Sequence, residues 1–186
     1  MKALLFVAIL SSACSAAPPR LPASRLVLPG SDGQQHDVSA EIAQHAFSVF
    51  VFGAEECGCL DAHAARLREL GIEYGGRNVS FRLVDSEVGA SAERSMTLAR
   101  SGNYGFPVLT DSGAKLADAL HAEFATHSVV VDPSGRIRYS GAIDSDSARL
   151  HADARLYLRE ALDDLLGGHA PREPNTEALG CALRKH

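Results

Sequence analysis

Apolar positions along the chain recur with two periods, and the switches between them lay out the elements. Phe47–Phe52 is a run of apolar and aromatic residues that predicts a buried strand. The run stops at Gly53-Ala54-Glu55-Glu56, and from there Leu60, Ala64, Leu67, Leu70 and Tyr74 recur at helical spacing, predicting a helix over Leu60–Tyr74. Val79–Asp85 predicts the next strand and Ala90–Ser101 a second helix. Gly105-Phe106-Pro107-Val108-Leu109 leads into a short extended segment, and Gly113–Glu123 predicts a short helix. Ser128–Asp132 and Arg136–Ser140 flank the turn Pro133-Ser134-Gly135, which is a β-hairpin pattern. Ser147–Leu166 predicts a last long helix, with Leu150, Ala154, Leu158, Leu162 and Leu165 on one face. Ahead of these, Arg25–Leu28 is a short strand candidate, Gly30-Ser31-Asp32-Gly33 a turn and Val38–Ile42 a second short piece. The order is βα-βα-(α)-ββ-α, with parallel strands first and a hairpin last. It calls for an α/β fold: a central mixed sheet with helices on both faces.

A chain of 186 residues is long enough for one domain with a proper core and too short for two of ordinary size. With 46% hydrophobic and 22% charged residues it has the composition of a folded domain rather than a disordered chain. The net charge of -5 and the lack of a basic stripe argue against nucleic acid as a partner.

The N-terminus reads as an export signal covering residues 1–14. Lys2 supplies a short positive region, Ala3–Leu10 an apolar stretch too short to span a bilayer, and Ser11-Ser12-Ala13-Cys14 follows. It resembles a bacterial lipoprotein signal, in which Cys14 is lipidated and becomes the mature N-terminus. Ser11 departs from that pattern, since such signals usually carry Leu there and Leu10 lies one position early. Ordinary cleavage after Ala16 or Ala17 is the alternative, with Pro18 making the latter site poor. Either route implies export, to a cell-envelope location facing the periplasm or to the outside, with the membrane touched only through a lipid anchor. Residues 15–24, rich in proline, read as a linker, 25–166 as the domain and 167–186 as a tail.

Chemistry concentrates where the first strong strand meets its helix. Cys57 and Cys59 lie in that corner, where the positive end of the helix favours thiolate, the form that attacks disulfides and binds soft metals. Glu55 and Glu56 act in the opposite sense, because nearby negative charge raises a thiol pKa. With Cys14 assigned to the signal, Cys57, Cys59 and Cys181 remain, an odd number for an oxidising compartment, so one thiol is reactive, metal-bound or a stray on the surface. Residues two apart in a helix point to nearly opposite sides, so a Cys57–Cys59 disulfide needs an unwound turn, which Gly58 assists; the alternative is that one of the two pairs with Cys181. The tail, with Gly167-Gly168, Pro171 and Pro174, lacks a helix or strand pattern and would fray unless pinned, and a disulfide or metal bond through Cys181 is the obvious pin. His63 reads as a boundary residue of the helix face and Asp61 as a first-turn carboxylate favoured by the helix dipole; His121, His151 and His169 suggest no partners.

Ala54-Glu55-Glu56-Cys57-Gly58-Cys59 resembles the thioredoxin pattern A-E-x-C-G-P-C with its Pro deleted. Gly105-Phe106-Pro107-Val108-Leu109-Thr110-Asp111, Val129–Tyr139 (VVVDPSGRIRY) and Gly141-Ala142-Ile143-Asp144 look like the redoxin branch of the thioredoxin fold. That branch includes peroxiredoxins of the AhpC/TSA type, membrane-tethered thiol-disulfide oxidoreductases of the TlpA/ResA type and Sco-type copper chaperones. The likeness spans about Leu26–Leu166, and redoxins of this kind often end in a similar Gly-Cys tail. It implies a thioredoxin-like fold, Cys57 as the attacking thiol, Cys59 or Cys181 as the resolving thiol, no required cofactor, and exported or membrane-bound thiol proteins as partners. Two departures matter. The cysteines are spaced C-x-C, where thioredoxins have C-x-x-C and Sco proteins C-x-x-x-C. After Thr126, His127 stands where thioredoxins place a cis-proline, and Sco-type proteins carry a histidine in that loop. By that resemblance Cys57, Cys59 and His127 form a candidate metal site of two sulfurs and one nitrogen, a donor set suited to copper. The alternative for His127 is a residue packed at a strand start. Phe50–Glu56 lacks the Pro and Thr of the peroxiredoxin P-x-x-x-T-x-x-C, which weakens a peroxidase reading.

Overall fold

The computed structural model describes residues 19–22 and 25–186. The signal segment with Cys14, and positions 15–18 and 23–24 of the linker, lie outside the described residues. In chain order the elements are β1 (Val27–Pro29), β2 (Gln35–Asp37), α1 (Val38–Ile42), β3 (Phe47–Gly53), α2 (Gly58–Gly75), β4 (Val79–Asp85), α3 (Ala92–Gly102), β5 (Val108–Thr110), α4 (Lys115–Ala119), β6 (Ser128–Val131), β7 (Ile137–Gly141) and α5 (Tyr157–Leu166). Among these, no helix is long and apolar enough to cross a membrane.

β3 is the middle strand of a five-stranded mixed sheet of order β5-β4-β3-β6-β7. It runs parallel to β4, with Phe47 opposite Val79 and Gly53 opposite Asp85, and antiparallel to β6, with Ser48 opposite Val131. Every residue from Ser48 to Gly53 is buried, which is why the strand reads as a run rather than an alternation. The hairpin turn between β6 and β7 is set by Asp132, whose Oδ1 accepts from the Ser134 amide at 2.9 Å and the Arg136 amide at 3.1 Å, while Gly135 takes the left-handed φ of 79°.

Both edges of the sheet are covered. At β5, the Ser31 amide donates to the Val108 carbonyl at 2.8 Å and the Val108 amide donates to Ser31 Oγ at 3.0 Å. At β7, the tail lies alongside: the Ser140 amide donates to Pro174 O at 3.0 Å and the Thr176 amide to Ser140 O at 3.1 Å. Gly141 is required there, because a Cβ would strike Thr176.

α2 buries Leu60, His63, Leu67, Leu70 and Tyr74, the predicted stripe with His63 added and Ala64 only half-buried. Tyr74 reaches α5, its hydroxyl donating to Asp163 Oδ1 at 2.9 Å. α5 begins at Tyr157, so the helix expected from Ser147 is ten residues too long at its start. Residues 144–156 form a loop because their short polar side chains bond backbone amides, competing with the helix ladder. Asp144 Oδ1 accepts from the Asp146 amide at 2.9 Å, Asp146 Oδ2 from the His151 amide at 2.7 Å, and Ser145 Oγ from the Arg155 amide at 3.0 Å. Val38–Ile42 is likewise a helical turn, capped by Asp37, whose Oδ1 accepts from the Ala40 amide at 3.2 Å.

Candidate active site

β3 ends at Gly53, and after four intervening residues α2 begins at Gly58. Glu56, with φ of 56°, turns the chain between them, and Cys57 is the helix N-cap, in extended conformation. Its side chain makes no capping hydrogen bond; its sulfur is bonded to Cys181, 124 residues away, with the Cα atoms 6.0 Å apart. Cys59 lies within the first turn of α2, half-buried against the core, and is a free thiol. Of the pairings open in the sequence, the structure therefore takes Cys57–Cys181. The helix already includes Gly58, so the unwound turn that a Cys57–Cys59 ring needs is not present.

The tail reaches Cys57 by pairing with the loop before β6. The Ala125 amide donates to Cys181 O at 2.8 Å, the Leu183 amide to Glu123 O at 2.9 Å, and Thr126 Oγ1 to Leu179 O at 2.5 Å. Phe124 and Ala182 form an antiparallel bridge. On the other side, the Val88 amide donates to Arg184 O at 2.6 Å. Gly180 is the tight point, since a Cβ there would land on the carbonyl of Ala125. Leu183 is buried, and Lys185 Nζ bonds Asp118 at 2.9 Å and Glu123 at 3.1 Å. The tail of 167–186, which showed no regular pattern, is thus held by a covalent bond and by strand-like pairing.

Thr126 and His127 lie beside the end of β3: the Thr126 amide donates to Phe52 O at 2.7 Å and the Phe52 amide to His127 O at 2.9 Å. The His127 ring stands edge-on to Phe52 and shares a hydrogen bond of 2.8 Å between Nε2 and Ser140 Oγ. Nδ1 is buried without a partner. Burial pushes the His127 pKa down, favouring the neutral ring. Among the described residues, no group of three or more His, Cys, Asp and Glu side chains is arranged to hold a metal ion. With Cys57 tied to Cys181, the Cys57, Cys59 and His127 donor set does not fit copper in this state.

Two charge networks flank the corner. Arg94 in α3 lies 3.1 Å from Asp85 and 3.5 Å from Glu55, and also pairs with Glu87, which in turn bonds Arg184 of the tail. Glu55, expected to repel thiolate at Cys57, is therefore matched by a cation. Burial raises the Asp85 pKa to about 6, although Arg94 opposes the shift. The second network starts at His63, which is buried rather than at a boundary. Its Nδ1 donates to Cys59 O at 2.7 Å, and its Nε2 bonds Asp144 Oδ1 at 3.0 Å. Asp144 is also held by Arg66 Nη1 at 2.5 Å, and Arg66 bonds Asp146 at 3.0 Å. Burial disfavours the charged ring, but the Asp144 hydrogen bond and the Cys59 carbonyl outweigh it, and the His63 pKa is raised. The i,i+4 spacing of Cys59 and His63 was the available signal; Asp144, 81 residues on, was not readable from it. His151, without a partner in the sequence, bonds Asp146 Oδ1 through Nδ1 at 2.8 Å.

The chain is similar to an uncharacterised conserved protein from Geobacillus kaustophilus (TM-score 0.80, 22% identity, 97% of this chain and 97% of that one). It is similar to a hypothetical protein from Sinorhizobium meliloti (TM-score 0.78, 22% identity, 92% and 96%). It is also similar to peroxiredoxin Q from Xanthomonas campestris (TM-score 0.59, 18% identity, 82% and 97%). The fold is thioredoxin-like. No family model and no curated protein matches the chain.

Asp85 makes a testable contribution to stability. Its folded pKa lies above its unfolded value, so the folded chain holds the proton more tightly, and stability declines as pH rises from about 4 to about 6. Asp85→Asn removes that penalty. Urea unfolding at pH 7.5 is expected to show a gain of about 1–2 kcal/mol, with little change at pH 4.5. A loss at pH 7.5 would show instead that the charged Asp85–Arg94 pair stabilises the fold.

Proposed function

We propose that the protein is an exported thiol-disulfide oxidoreductase acting on other exported or membrane-bound thiol proteins. The observation that carries this reading is the Cys57–Cys181 disulfide at the N-terminus of α2 in a thioredoxin-like fold. The peroxiredoxin Q likeness supports a thiol-redox fold. In the reduced protein, the Cys57 thiolate, favoured by the helix end and with Glu55 matched by Arg94, attacks a sulfur of a partner disulfide. One partner sulfur leaves as thiolate and a mixed disulfide with Cys57 forms. Cys181 thiolate then attacks Cys57 Sγ, expelling the second partner sulfur and closing Cys57–Cys181. Two electrons pass to the partner, and the protons of the Cys57 and Cys181 thiols end on its two sulfurs. Cys57 is only 1% exposed with the disulfide closed, so its attack requires the tail to lift after reduction. Cys59 supports the helix turn and is not the resolving thiol.

Insulin-reduction and mixed-disulfide assays test these roles. Cys57→Ser is expected to lose at least a hundredfold in rate, Cys181→Ser to accumulate mixed disulfides, and Cys59→Ser to keep most of the activity. Full activity in Cys57→Ser would remove the mechanism. Trapping by Cys59→Ser but not Cys181→Ser would exchange the two roles.

Export rests on Lys2, Ala3–Leu10 and the Ser11–Cys14 box. Mass spectrometry of the native membrane fraction is expected to find a mature chain beginning at lipidated Cys14. A soluble chain beginning at Ala16 or later would leave export without an anchor.

Copper binding by a reduced, Sco-like form is the second reading, and the buried, unpartnered Nδ1 of His127 is what favours it. It requires Cys57 to be freed from Cys181. Competition with a Cu(I) chelator on the reduced protein is the measurement. Tight one-to-one binding lost in Cys57→Ser, Cys59→Ser and His127→Ala, together with no reductase activity, would place this reading first; weak binding, or binding unchanged in His127→Ala, would set it aside.

A further inference from the structure

The two sulfurs of the disulfide differ in a way that separates their partners. Cys57 is 1% exposed and sits beneath the corner, whereas Cys181 is exposed on the paired tail. An incoming thiolate must approach the sulfur it attacks from outside, so access favours Cys181. The leaving group points the same way. In a disulfide exchange the sulfur with the lower thiol pKa departs faster. Cys57 caps an 18-residue helix, where the unpaired amides of the first turn favour thiolate. Cys181 lies in an extended segment with no helix behind it. While the bond is closed, the tail's hydrogen bonds to Ala125, Thr126, Val88 and Glu123 and the burial of Leu183 hold Cys181 at the surface, within reach of an incoming thiolate.

We infer that the protein dithiol which reduces this chain attacks Cys181 and expels Cys57. Cys181 thus has a second role, as the point at which reducing equivalents arrive, while Cys57 is the point at which they leave. This rests on the thiol-exchange reading. The donor thiolate bonds to Cys181 Sγ as the Cys57–Cys181 bond breaks, and the electron pair goes to Cys57, which departs as thiolate. The donor's second thiolate then attacks its own bridging sulfur and releases Cys181 as thiolate. The donor ends as a disulfide, and its two protons are balanced by those taken up on Cys57 and Cys181.

The experiment uses oxidised full-length protein, as wild type and as Cys59→Ser, the latter to exclude exchange through the free neighbour. Each is mixed with glutathione as a monothiol probe, quenched at successive short times with excess N-ethylmaleimide, and mapped by peptide mass spectrometry. The first adduct is expected to carry glutathione on Cys181 and N-ethylmaleimide on Cys57, in at least tenfold excess over the reverse pattern. Glutathione appearing first on Cys57 overturns the assignment of the attacked sulfur and leaves thiol exchange standing. An intact disulfide with no adduct on either cysteine overturns both.

Discussion

The bond between Cys57 and Cys181 is the constraint that organises the functional end of the molecule. It joins the start of α2 to a tail 124 residues further on, and closing a loop of that length removes about 4–5 kcal/mol of chain entropy from the unfolded state. Its geometry depends on contacts that have nothing to do with sulfur. Gly180 allows the tail to lie flat on Ala125, Leu183 inserts into the core, and the Ala125 and Leu183 amides fix the register. The disulfide site is therefore assembled from three separate parts of the chain: the β3–α2 corner, the loop before β6 and the tail.

Charge around that centre is arranged so that the acidic residues near the thiols are neutralised. Arg94 faces Glu55, Asp85 and Glu87, and Arg184 brings the tail into the same network. On the other side, the His63 ring and Arg66 both face Asp144. Removing Arg94 or Arg66 would leave buried carboxylates without their cation, which in such sites costs about 3–5 kcal/mol. The Cys59 carbonyl is tied to His63, so this second network also fixes the first turn of α2 from within.

How much of this could be read in advance follows from how local each cause is. β3, α2 and the β6–β7 hairpin were legible because burial imposes a run, a helical stripe and an Asp-x-x-Gly turn on neighbouring residues. The start of α5 was not, because Asp144, Ser145 and Asp146 divert backbone amides before Leu150 and Ala154 can use their helical spacing. The cysteines at the corner and the need for a pin at Cys181 were visible. Which cysteine Cys181 would meet was not, because that depends on the pairing of the tail with Ala125 and on Gly58 already being helical. His63 was misplaced at a boundary, since its acidic partner comes from a loop 81 residues away.

The tail's passage along β7 has a consequence for solubility. An uncovered edge strand presents a row of unpaired amides and carbonyls to any other chain with a strand to offer. Here Pro174 and Thr176 occupy the backbone of Ser140 on one edge, and Ser31 occupies that of Val108 on the other. The segment that carries Cys181 therefore also covers the sheet edge, so a chain truncated before Pro174 would offer the bare β7 strand to pairing with another chain.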